Sequence, residues 1–239
     1  MGTAVADRML SPDRMSVDRA ADSRARVLEA ALRRVVQFGI SKTTVEDIAR
    51  EAHLSRATMY RFFPGGREEI MATMVEREVR GFFWKLGARL DGVDDYEERI
   101  VVAMTAAAEQ LVAHEALSFV LAHEPELLLP HVLFAELDQL LDTAAAFFAP
   151  YLVGLLEPED ARRAAEWVTR LVLSHVLCPS SSVGDSFPEP RANSFHGGVG
   201  TPFALHPEPL SEDRASWLVA TFITPGIRAL TAASALAVS

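Results

Sequence analysis

Apolar residues recur at helical spacing from about residue 23 to about residue 232, and nowhere do they alternate as a strand requires. Leu28, Ala31, Val35 and Phe38 form the inner stripe of a first helix, opened by Asp22 or Ser23 and stopped by Gly39. Val45, Ile48, Ala49 and Ala52 fall at i, i+3, i+4 and i+7 of a short second helix. Thr44 caps it, and Asp47 stands where a capping box wants a carboxylate. Ala52-His53-Leu54 makes a tight turn, and Ser55 caps a third helix whose inward residues are Leu54, Met59, Phe62 and Phe63. A long helix over 68–90 follows, with Met71, Val75, Val79, Phe82, Leu86 and Leu90 along one face, until Gly92-Val93-Asp94 breaks it. Further helices are predicted over 96–113, 115–122, 127–148 (bent at Pro130), 158–178 and, from a Ser211 cap, to about 232 with a kink at Pro225-Gly226. Residues 1–21 read as a flexible arm, and 180–210 as one long irregular segment rich in Pro, Gly and Ser, longer than the ~15 residues of an ordinary connection. The expected fold is all-α, a three-helix helix-turn-helix head at 22–66 followed by a larger helical body at 67–239.

Composition narrows the class. With 239 residues, 49% hydrophobic and 23% charged, the chain can bury a sizeable core. No uncharged apolar run reaches the ~18 residues of a membrane span, so no membrane partner is expected. The first twenty residues mix acids and bases without the apolar run of a secretory signal. A single cysteine, Cys178, permits no internal disulfide and fits a reducing cytoplasm. The net charge of −10 hides an asymmetry. Residues 1–64 hold 11 of the 23 Lys and Arg but only 8 of the 33 Asp and Glu, a balance of +3; the remaining 12 and 25 give −13. A mildly basic head on an acidic body suits a protein that touches double-stranded DNA at one end. Arg8, Arg14 and Arg19 in the arm each lie near an Asp, so the arm is open to two readings, a minor-groove reader or a solvated tail.

The third helix carries the most specific chemistry. Its outward residues, Arg56, Ala57, Thr58, Tyr60 and Arg61, are small, hydroxylated or cationic, with no acid among them. Arg and Thr can meet base edges in a major groove, Ala can touch a thymine methyl, and Ser55, Thr58 and Tyr60 can reach phosphates. Lys42 and Thr44 lie where the chain enters the second helix, beside amides that favour a phosphate. Arg67 could hold a further phosphate or be an ordinary surface arginine.

The pattern Thr44-Val45-x-x-Ile48-Ala49, Leu54-Ser55-x-x-Thr58-x-Tyr60-x-x-Phe63-Pro64, continuing into Gly65-Gly66-Arg67-Glu68, resembles the DNA-binding segment of the TetR family of bacterial transcriptional regulators. The resemblance is specific over about 23–75 and architectural beyond. It implies that Thr44 and Tyr60 contact the DNA backbone. It also implies a homodimer, for which Trp167, Val168, Leu171, Val172, Trp217, Leu218 and Phe222 on the last two long helices are the candidate interface. Two recognition helices about one DNA turn apart, ~34–36 Å, predict a palindromic operator. A small hydrophobic ligand would sit in the middle helices, lined by Phe82, Phe83, Met104, Phe119, Phe134 and Phe147, with His175 or Cys178 as polar handles. Ligand and operator would then select different conformations, the helix from 68 carrying the movement, and the protein would act as a repressor.

Other chemistries find little support. His114-Glu115 and His123-Glu124, with His131 beyond, lack the HExxH spacing that puts two metal ligands on one helical face. The Gly-dense 196–200 stretch follows no strand, and His175 with Cys178 lies in an apolar run. No metal, cofactor or enzymatic activity is therefore expected. The alternative kept open is a DNA-organising or constitutive DNA-binding regulator without an effector.

Overall fold

The computed structural model describes residues 12–130, 137–153, 156–177 and 210–229. Among them every regular element is a helix. They divide into two compact units, 1–81 and 82–239.

The first unit holds α1 (Pro12–Phe38), α2 (Val45–Glu51), α3 (Arg56–Phe62) and the first part of α4 (Gly66–Leu90). The first helix thus starts well before the expected 22. Residues 13–21 contain no Gly or Pro, and proline suits the first helical position, so 12–21 form helix rather than irregular arm. Its buried face is Val27, Leu28, Ala30, Ala31 and Val35, but Phe38, expected to close the stripe, is 42% exposed with the Arg34 guanidinium 3.9 Å above its ring. Gly39 ends the helix at φ +85°, where a Cβ is strained, and its amide bonds back to Val35.

Val45, Ile48, Ala49 and Ala52 are buried as the spacing predicts. The turn after α2 closes as a Schellman motif: Leu54 N–H donates to Ala49 O and His53 N–H to Arg50 O, with His53 left-handed at φ +55°. Met59 and Phe63 fill the centre of the unit at 1% and 0% exposure. Leu54 and Phe62 are only half-buried. In α4 the expected stripe is shifted. Val75 and Val79 are exposed, and the buried positions before Gly81 are Ile70 and Met74. One stripe cannot describe a helix whose two ends are buried in different units: 70 and 74 share a face in the first, Leu86 and Leu90 in the second.

The second unit adds α5 (Tyr96–Val112), α6 (Glu115–His123), α7 (Pro125–Pro130), α8 (Leu137–Leu152), α9 (Pro158–Leu177) and α10 (Glu212–Leu218), which continues as a π-turn, Val219–Ile223. Of the helix expected over 127–148, α7 covers the start from Pro125 and α8 the rest past Pro150, while 131–136, beyond the bend expected at Pro130, lie outside the described residues. Helix α9 packs on α8 and α5, and α10 packs on α5. The faces that meet are rich in alanine: Ala103, Ala106, Ala107 and Ala108 on α5 and Ala161, Ala164 and Ala165 on α9 are all buried. Small side chains let the helix axes approach closely, while Met104, Phe148 and Leu152 supply the bulk. Among the described residues no single helix is long and apolar enough to cross a membrane.

Just before Pro225, where a kink is expected, the helix widens into a π-turn. Proline has no N–H and its ring crowds the carbonyl four residues back, and the wider π-turn just before it relieves both. Thr224 N–H then bonds to Val219 O, five residues back. The same widening leaves the Thr224 hydroxyl buried without a hydrogen-bond partner among the described residues. An unpaired buried hydroxyl costs about 1–3 kcal/mol. Thr224→Val, nearly the same shape without the hydroxyl, should therefore raise stability by about 1 kcal/mol in urea unfolding; a drop of that size would mean the hydroxyl has a partner in solution.

Candidate nucleic-acid interface

Helix α3 is short, and arginines from α1 and α4 hold its end, the end of α2 and the loop before α2. From α1, Arg24 donates through Nη1 to Phe62 O, the last carbonyl of α3, and stacks 4.3 Å from the Phe63 ring. Also from α1, Arg26 donates to Ala52 O, at the C-terminal cap of α2, at 2.6 Å. Guanidinium groups at helix C-termini satisfy orphan carbonyls and complement the dipole. From α4, Arg67 reaches back to the loop before α2, donating through Nε to Thr43 O (2.8 Å) and through Nη2 to Ile40 O (2.6 Å). Buried Thr43 donates its hydroxyl to Gly39 O at 2.6 Å. The 39–44 loop is thereby tied down through three of its carbonyls, with Lys42 and Thr44 on either side of Thr43, both exposed.

With that scaffold fixed, α3 turns Arg56, Ala57, Tyr60 and Arg61 to solvent, and Thr58 is half-exposed. Arg61 lies 5.0 Å from the Phe62 ring and makes no ion pair among the described residues. Arg56 stands 5.6 Å from the Tyr60 ring and pairs with Glu46 of α2 at 2.8 Å. The helix itself is acid-free, but the surface is not, because α2 brings a carboxylate to it. Tyr60 rests beside Gly66, at φ +64°; a Cβ there would come within 3.3 Å of the tyrosine ring, so glycine both permits the bend into α4 and leaves room for Tyr60.

Ser55 with Thr58, Thr44 and Arg67 also have internal partners, as Arg56 does. Ser55 Oγ accepts the Thr58 N–H as the N-cap and is bonded to Thr58 Oγ1 at 2.9 Å, so it organises the start of α3. The Thr44 hydroxyl accepts the Asp47 N–H and donates to Asp47 Oδ2 at 2.6 Å. The expected capping box is thus closed through the hydroxyl. Arg67, open to a phosphate contact or an ordinary surface role, is half-buried against two backbone carbonyls of its own chain, because a guanidinium fork matches that pair of acceptors.

In the second unit the candidate ligand residues separate into groups. Phe82 and Phe83 meet edge to face at 5.3 Å, Phe83 meets Phe147 at 4.7 Å, and Phe147 meets Tyr151 at 5.6 Å. Met104 is fully buried core. Phe119 stacks on His123 instead, at 4.2 Å, and His175 is half-buried on α9. Phe134 and Cys178 lie outside the described residues, as do His131 and nearly all of 180–210. His114 is an N-cap, its Nδ1 accepting from Leu117 N–H. Of the candidate interface, Trp167, Trp217 and Phe222 are exposed, the last two edge to face at 5.5 Å, with Leu171 and Leu218 half-buried. Val168 and Val172, at 5% exposure each, face the unit's own core, since they fall one position away from Trp167 and Leu171 and so on another side of α9.

Two short helices joined by a tight turn, the second capped by serine and presenting cations and hydroxyls to solvent, define a helix-turn-helix DNA-binding protein. Comparison with known proteins agrees. The family model described as bacterial regulatory proteins, tetR family, matches residues 27–74. An uncharacterized HTH-type transcriptional regulator of Mycobacterium bovis is 32% identical over 174 residues, 72% of this chain and 88% of the relative. Another, of Mycobacterium tuberculosis, is 28% identical over 181 residues, 74% and 86% of the two chains. Among solved structures, that of the fatty acid degradation regulator FadR from Bacillus halodurans aligns with a TM-score of 0.48 at 20% identity, covering 62% of this chain and 79% of that one. The chain belongs to the TetR family of bacterial regulatory proteins, and it is a DNA-binding transcriptional regulator.

The head also has a pH signature. The Thr44 hydroxyl donated to Asp47, with Arg34 and Arg50 nearby, holds the Asp47 carboxyl below its ordinary value of 3.8 despite partial desolvation. A depressed folded-state value stabilises the fold above the unfolded value, and that contribution is lost as pH falls through the folded value. Asp47→Asn should therefore be less stable than wild type at neutral pH and lose less stability below pH 3.8, so that the two urea-unfolding midpoints converge in acid. Midpoints that stay parallel down to acid unfolding would show that Asp47 titrates as in the unfolded chain.

Proposed function

We propose that the protein is a homodimeric repressor that holds a palindromic operator and is released from it by a small, largely apolar ligand. The observation that carries the DNA half of this reading is the outward surface of α3, where Arg56, Ala57, Tyr60 and Arg61 face solvent while arginines of α1 hold the ends of α3 and α2. Arg56, Ala57, Thr58 and Arg61 are assigned to base edges, and Lys42, Thr44 and Tyr60 to phosphates. On DNA, Arg56 exchanges Glu46 for a base, and the Thr44 hydroxyl exchanges Asp47 for a phosphate oxygen.

Trp167, Trp217 and Phe222, each more than half exposed, support a second copy of the chain as partner, since large aromatic side chains are costly to leave in water and favoured at interface cores. The Phe82, Phe83 and Phe147 series supports an apolar ligand, with His175 as the polar group nearest in character to a handle. Such a ligand acts by favouring the conformation that fits the operator less well. A regulator of this kind works in the cytoplasm, where its operator is.

Selection of bound duplexes from a random pool should return an inverted repeat with half-site centres about one helical turn, ~34–36 Å, apart. Tyr60→Ala should then weaken binding to that duplex by about tenfold, roughly 1.4 kcal/mol, while sedimentation still finds a dimer. An unrepeated sequence, or loss of the dimer along with DNA binding, would contradict the reading.

A further inference from the structure

The inference concerns Arg67 and rests on the DNA-binding reading above. Its chain position, just inside α4, suggests a cation aimed at a phosphate. Its geometry says otherwise. The guanidinium is half-buried and uses its Nε–Nη2 edge on the carbonyls of Thr43 and Ile40, at 2.8 and 2.6 Å. Those carbonyls flank the short loop that carries Lys42 and leads into Thr44. Other bonds on that loop are Thr43 N–H to Ile40 O at 3.2 Å and the Thr43 hydroxyl to Gly39 O at 2.6 Å, both neutral, and, at its end, the Thr44 hydroxyl to the Asp47 carboxylate at 2.6 Å. Hydrogen bonds from a charged donor are about twice as strong as neutral ones, so Arg67 holds the loop more firmly than either bond of Thr43 does.

We infer that Arg67 is a positioning residue for DNA binding. It touches no phosphate itself; it fixes the loop so that Lys42 and Thr44 reach the backbone of the duplex together. The fork is essential, because one ammonium cannot serve two carbonyls in the geometry that Nε and Nη2 serve here. Arg67 and Lys42 should therefore act as a unit even though Lys42 is not among the partners of Arg67.

The test uses the full chain and the tightest duplex recovered from a random pool, with affinity measured across a range of salt concentrations. Arg67→Lys keeps the charge and loses the fork. It should lose about tenfold in affinity, nearly as much as Arg67→Met, and both should flatten the slope of log affinity against log salt by about one, the signature of one lost phosphate contact. In a double-mutant cycle, adding Arg67→Lys to Lys42→Met should cost much less than Arg67→Lys alone. Thr43→Val, which loosens the same loop without touching a charge, should shift affinity in the same direction; it decides the matter if the Arg67 variants do not fold. The inference is overturned if Arg67→Lys keeps wild-type affinity and slope while Arg67→Met loses one contact, which is direct phosphate binding. It is overturned equally if the cycle with Lys42 is additive, or if Thr43→Val binds as wild type does. A wild-type chain that binds no duplex would instead overturn the DNA-binding reading itself.

Discussion

The interaction on which the head depends is a guanidinium bonded to backbone carbonyls. Short helices of seven residues, such as α2 and α3, are marginal by themselves, and each ends in carbonyls with no partner inside the helix. Arg24 and Arg26 on α1 supply those partners, and Arg67 does the same for the loop that precedes them. Each such bond to a charged group is worth about 1.5–3 kcal/mol, whereas an exposed ion pair such as Arg33 with Glu51 is worth about 1 kcal/mol or less. The ties to carbonyls therefore decide the geometry, and the ion pairs adjust it. The same device recurs in the second unit, where Arg99 bonds both Val93 O and Tyr151 O.

This division of labour changes the meaning of the head's charge. The balance of +3 over residues 1–64 suggests weak attraction to DNA. Much of the positive charge is occupied internally: Arg24 and Arg26 by carbonyls, and Arg33, Arg34 and Arg50 by carboxylates. On and around α3 the exposed cations are Lys42, Arg61 and Arg56, the last shared with Glu46. Few cations, well placed, give modest non-specific affinity and leave discrimination to base contacts.

Local signals are legible in the sequence because they act over a few residues. The Thr44 and Ser55 caps, the Gly39 stop, the apolar face of α2 and the turn at His53 all follow from spacing and backbone preference, and the structure contains each of them. Long-range partners were not legible. Nothing in the identity of Arg67 tells that its acceptors lie 24 and 27 residues earlier, and nothing in the acid-free run of α3 tells that Glu46 reaches Arg56 from another helix. Faces are not legible from spacing where a helix serves two cores, so that Val75 and Val79 are exposed, or where neighbouring positions diverge, so that Val168 and Val172 pack inward while Trp167 does not. The π-turn before Pro225 lies between these cases: the proline marks the place, but which turn absorbs the strain depends on packing.

The central claim is that two sets of arginines in one head do different work, one holding the backbone and the other meeting DNA. The most direct test follows the arginine Nε–Hε resonances of the isotope-labelled full chain while a duplex that it binds is added. The account predicts that Arg56 and Arg61 shift strongly while Arg24 and Arg26, already committed to carbonyls, stay where they are. Movement of Arg24 and Arg26 with Arg56 and Arg61 unchanged would contradict it.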